Sequence, residues 1–233
     1  MRKILENFVP NRYKNSSKKF FSLKSFETGI SGYILLLCII LASVWAGGAG
    51  KLSNDFLNLL RYPVIVMIAI NVIGLLLFRT IKFKKYSVVI SYFSGVLSTF
   101  FLVTLIAGIT NNPKKNCFYG ISVILIVWII GMAVHYILVN MSLREGSMKL
   151  RDKYGDYFGT FVSLVAFGFF AYGFEVDNNF AIMTGIGLLL GALLISLTFS
   201  FPRILPYWRK EGPKKDVSVY GNATKLMKRG KSK

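Results

Sequence analysis

Two side chains stand out because they are strongly polar yet sit inside long apolar runs. They are His135, in the run from Phe118 to Val139, and Asn71, in the run from Tyr62 to Phe78. An imidazole at membrane depth can relay protons or hold a ligand, and it can equally serve as a hydrogen-bond donor between helices. His135 follows Gly131 by four residues and Trp128 by seven, the spacing of one helix face. We read it as an interhelical or interfacial hydrogen-bonding residue. Asn71 reads as interhelical glue, a contact worth about 1 kcal/mol. No carboxylate accompanies them: all ten Asp and Glu residues fall outside the apolar runs, with Glu175 and Asp177 closest. Ion- and proton-coupled transport usually needs such a group away from bulk water. The chemistry on offer within the runs is therefore hydrogen bonding, and binding is expected rather than catalysis.

Other patterns carry less. Cys38 and Cys117 with a single histidine cannot assemble a zinc site, so neither a metal nor any other cofactor is expected. Gly47-Gly48-Ala49-Gly50-Lys51-Leu52-Ser53 has the look of a phosphate loop. The glycine required five places before the Gly-Lys pair is replaced by Trp45. The stretch Leu150–Tyr157, taken with Phe201–Pro206, resembles two elements of membrane isoprenylcysteine and phospholipid methyltransferases. In those families the elements lie close together near the C-terminus. Here a complete helix pair separates them and no partnering His or Glu constellation is present, so they read as a charged loop and a helix stop.

Small residues recur at the spacing that lets helix backbones approach. Gly187 and Gly191 form a GxxxG pair, and Ser91, Gly95 and Thr99 make a second stripe at four-residue steps. Both are candidate helix-packing faces, toward a neighbouring helix or toward a partner protein.

The elements that must position these residues are legible from the blocks of hydropathy. Apolar residues make up 54% of the 233-residue chain and mean hydropathy is +0.53, above the roughly 45–50% of a soluble domain. They collect in blocks of about twenty residues, the length needed to cross about 30 Å of hydrocarbon as helix. Six such blocks are expected, near 31–48, 62–78, 87–109, 118–139, 158–174 and 181–201, with Pro63 in the first turn of the second. The predicted fold is an all-α, polytopic, six-transmembrane-helix bundle. A basic segment (1–28) precedes the membrane domain (29–201), and a basic tail (202–233) follows it. Residues Lys18 to Phe26 mix lysines with aromatics, which suits a segment lying at the membrane surface.

Charge sets the expected orientation. With the N-terminus in the cytoplasm, the cytoplasmic segments hold 25 of the 29 Lys and Arg residues, leaving only Lys51, Arg61, Lys114 and Lys115 outside. That bias predicts a protein of the cytoplasmic membrane with both termini on the cytoplasmic side. It also accounts for most of the net charge of +19 without a nucleic-acid partner. The basic residues are expected to meet anionic lipid, with Lys18, Lys19, Lys82, Lys84, Lys85, Arg209 and Lys210 as candidate contacts. The expected function is that of a non-enzymatic bacterial membrane protein with a protein partner in or at the membrane. It would serve as a toxin-immunity protein or an accessory subunit of a secretion or export system. The alternative is a permease subunit that borrows a partner ATPase.

Overall fold

Where they are described, the apolar blocks form helix, because a helix satisfies its own backbone hydrogen bonds and needs nothing from the lipid. The computed structural model of the chain describes residues 7–16, 20–45, 54–108 and 110–208, and these are all-helical with no strand among them. A short helix α1 (Asn11–Ser16) is followed by α2 (Leu23–Trp45), α3 (Asn54–Arg79), α4 (Lys84–Ala107), α5 (Pro113–Arg144), α6 (Lys149–Glu175) and α7 (Asn179–Ser200). Five stretches among the described residues are long and apolar enough to cross a membrane: Arg61–Arg79, Ile81–Ala107, Pro113–Arg144, Lys149–Glu175 and Asn179–Tyr207.

The helices outrun the apolar blocks, because hydropathy marks where hydrocarbon would lie and not where the backbone stops hydrogen bonding. Helix α3 starts at Asn54 rather than Tyr62, which puts Pro63 inside the helix instead of in its first turn. Helix α5 runs 32 residues, with Pro113 at its start, where the missing N–H costs nothing. Residues 140–157, expected as the longest internal connection, are almost entirely helix. The turn that remains, 145–148, contains Gly146 at φ +68°, a left-handed conformation that glycine adopts without steric cost past a helix end. The turn before α7 is equally short. Asn178 caps that helix, its side-chain oxygen accepting from the backbone N–H of Phe180 (3.0 Å) and Ala181 (3.2 Å). Phe26, expected to face the headgroups, is covered by protein and stacks on Phe78 with ring centroids 3.8 Å apart.

Helix α7 is the centre of the bundle. Half of its apolar stretch is buried, against 17–28% for the other four, as expected of a helix that is apolar on all sides. Helices α5 and α6 pack along it, α4 touches it as well, α3 leans on α4 and α2 on α3. One end of the bundle gathers the N-terminal segment, the α3–α4 and α5–α6 turns and the end of α7. Asn11 bonds Asp152, Glu27 pairs with Arg79 at 3.0 Å, and Lys85 lies over the Trp208 ring. The opposite end holds the α4–α5 and α6–α7 turns, drawn together where Lys115 lies over Phe180.

Candidate functional site

The N-terminal segment crosses the end of the α5–α6–α7 group and is fastened there by polar side chains. His135 on α5 is fully buried, and its Nε2 lies 2.6 Å from the Phe8 carbonyl oxygen. A carbonyl can only accept, so Nε2 carries a proton, and Nδ1 has no hydrogen-bond partner among the described residues. The ring is boxed by Phe8, Tyr154 and Phe199, at centroid distances of 5.0, 5.3 and 4.5 Å. Arg151, in the first turn of α6, is 1% exposed. Its Nη1 donates to the Asn7 carbonyl at 2.8 Å, and its Nε and Nη2 donate to Asp152 Oδ1 at 3.0 and 2.6 Å. The Asp152 carboxylate also accepts from the backbone N–H and side-chain amide of Asn11, at 3.0 and 2.9 Å. One turn further along, the Tyr154 hydroxyl donates to the Gly131 carbonyl at 2.7 Å. Charge-assisted bonds of this kind are the strong ones. The cluster works as a lock: His135 and Arg151 donate to the carbonyls of Phe8 and Asn7, and Asp152 accepts from Asn11.

Asn71 lies elsewhere, in the α2–α3–α4 group. Its Nδ2 donates to the Met67 carbonyl and to Ser94 Oγ, both at 2.7 Å, which ties α3 to α4. The carbonyl needs a donor, so the amide orientation follows, and Oδ1 is left buried without a partner. Asn71 lines the inner part of a cavity of about 330 Å³ bounded by α2, α3, α4 and the end of α7. Phe26, Ile30, Val88 and Leu197 give it apolar walls, and Arg203 stands where the chain leaves α7. Its Ser25 and Gly29 are exposed, so the cavity reaches the outside of the bundle along α2. Tyr33 and Ser98 hydrogen-bond through their hydroxyls beside it.

The two stripes of small residues face inward, and differently. A Cβ on Gly187 would stand 2.6 Å from Val123, and one on Gly191 2.7 Å from Val127. These glycines therefore seat α7 directly on α5. A Cβ on Gly95 would meet only Leu197, at 3.7 Å, and Ser91 lines the cavity. Thr99 is buried and donates to the carbonyl of Val96 in its own helix. Of the basic candidates, Lys82 is exposed, whereas Lys84 lies over Phe78 (5.4 Å) and Lys85 over Tyr86 (4.9 Å) and Trp208 (5.0 Å). Lys18, Lys19, Arg209 and Lys210, like the Gly47–Ser53 stretch, lie outside the described residues.

Sequence reasoning left Arg151 in a charged loop. Its signal was the run Arg151, Tyr154 and Phe158, residues i, i+3 and i+7 of one helix face. Among the described residues no three His, Cys, Asp or Glu side chains come together as a metal site. The chain matches no known protein-family model, and comparison with curated proteins and with solved structures finds no match either.

Proposed function

We propose that the chain is a six-span, non-enzymatic protein of a bacterial cytoplasmic membrane with both termini inside. In this reading it acts by binding a protein partner in or at the membrane, as a toxin-immunity protein or an accessory subunit of a secretion or export system. Helix α2 supports the sixth span: its 23 residues extend about 35 Å, enough for a hydrocarbon core of about 30 Å. The orientation draws support from the basic residues Arg79, Lys82, Lys84, Lys85, Arg144, Lys149, Lys153 and Arg203, which share one end of the bundle.

The observation that carries the binding reading is the use made of the polar side chains. His135, Arg151 and Tyr154 each spend a hydrogen bond on a main-chain carbonyl. They hold the fold together, and the outer faces are left to act. The outer face of α6 suits a partner helix: Phe161, Leu164, Phe167 and Tyr172 are exposed there, and nothing lies within 4 Å of the position a Cβ would take on Gly168. Cells expressing the chain should survive the toxin encoded beside its gene, and a Gly168→Trp variant made at normal levels should lose that protection. Killing unchanged by the wild-type chain would rule out immunity. Reporters fused after Asn178 and after Lys84 should read external and internal respectively, and swapped results would break the orientation.

A permease subunit working with a partner ATPase is the second reading, favoured by the cavity beside Asn71. Transport by the reconstituted chain with its ATPase, abolished by Asn71→Leu or His135→Leu, would select it.

A further inference from the structure

The cavity beside Asn71 combines three chemistries in order along its length. Arg203 marks one end, its guanidinium held 5.4 Å from the centroid of the Phe21 ring. That end lies level with Phe78, because Phe78 and Ile204 belong to one buried cluster with Phe26, Ile30 and Val88. The walls between are apolar. Deeper in stand Asn71, buried with an Oδ1 that no donor among the described residues reaches, and the half-buried Ser91. Asn71 precedes Phe78 by seven residues on α3, so the two ends are about 10 Å apart along the helix axis.

We propose that this cavity binds a single-chain lipid acid hydroxylated along its chain. The carboxylate would sit at Arg203, the methylenes between Phe26, Ile30, Val88 and Leu197, and the hydroxyl at Asn71 and Ser91. Charge complementarity selects the head. A half-buried guanidinium with an aromatic on one face offers N–H donors to an anion. The inner end selects against a plain hydrocarbon chain, because an unpartnered buried amide oxygen gains a bond only from a donor. The volume, about 330 Å³, lies at the small end of ligand pockets and suits one chain rather than a two-chain phospholipid. Exposed Gly29 and Ser25 give entry from the side of the bundle without passing through its core. This inference goes beyond the partner-protein reading, and a failed toxin challenge would leave it standing.

The test uses the full chain in phosphatidylcholine nanodiscs with three probes: 10-hydroxydecanoate, decanoate and 1-decanol. Affinity is read from the concentration dependence of thermal stabilisation. The hydroxy acid should bind about tenfold more tightly than decanoate. Asn71→Leu, and independently Ser91→Ala, should shrink that ratio toward one while leaving decanoate unchanged. Arg203→Gln should weaken both acids about fivefold or more and leave decanol alone. Equal binding of the hydroxylated and plain acids by the wild-type chain would overturn the proposal even if a variant fails to fold. So would acid binding indifferent to Arg203→Gln, which would mark simple partition into the bilayer.

Discussion

The two halves of the bundle use the same kinds of residue to opposite ends. In the α5–α6–α7 half, the glycines of α7 bring backbones into contact. A Cβ on Gly185 would stand 2.9 Å from the Ala166 carbonyl of α6, and one on Gly191 3.2 Å from the Ile124 carbonyl of α5. The α5–α7 seam is also pinned near both ends, by Trp128 Nε1 donating to Thr198 Oγ1 (3.0 Å) and by the Tyr119–Thr184 hydroxyl pair (2.8 Å). In the α2–α3–α4 half, the glycines leave room. Gly29 and Gly32 have nothing within 4 Å of a Cβ position, and Gly74 has only the Ile90 side chain at 3.4 Å. A small residue permits close approach but does not enforce it. Whether it yields a seam or a cavity depends on the helix that arrives opposite.

The difference is open to breakage in order of size. Gly191→Leu should do the most damage, because Val127 and the Ile124 backbone occupy the space it needs. Overpacking costs about 1–3 kcal/mol for added methylenes and more where backbone must move, so folded yield by size-exclusion in detergent should collapse. Arg151→Met comes next. It removes the donors to Asn7 and Asp152 and should cost about 1–3 kcal/mol. The effect should be local, with hydrogen exchange and protease cleavage rising in residues 7–16 while the α5–α7 seam keeps its protection. Global unfolding instead would show that the lock, and not the glycine seam, holds this half together.

In the looser half, Asn71→Leu should shift stability by about 1 kcal/mol or less. It loses the bonds to Met67 and Ser94 but also relieves the unpartnered Oδ1. A loss as large as that of Gly191→Leu would erase the contrast between the halves. Smallest of all, Gly29→Ala and Gly32→Ala should be neutral or stabilising by up to about 1 kcal/mol, since helix propensity improves and no neighbour is met. Thermal unfolding of the variants side by side would rank all five.

The helical class was legible because apolar blocks of bilayer length leave the backbone no alternative. The two polar residues within those blocks, His135 and Asn71, were equally visible; the first bonds the Phe8 carbonyl and the second Ser94. Their partners were not visible. His135 meets a carbonyl 127 residues away, on a segment whose basic composition suggested a separate surface element. Arg151 was hidden because its neighbours Lys149, Asp152 and Lys153 are charged, and a charged run reads as solvated. Burial of the one guanidinium depends on where Asn7 and Asn11 come to rest.

Sequence alone therefore determined the helices, the residues at depth and the charge imbalance between connections, because each follows from local hydropathy and valence. Tertiary structure decided which small-residue stripe closes and which one borders a cavity, and which polar groups are paired or left wanting. Those outcomes depend on the shape and distance of a facing helix, and a single chain segment carries no record of its neighbour.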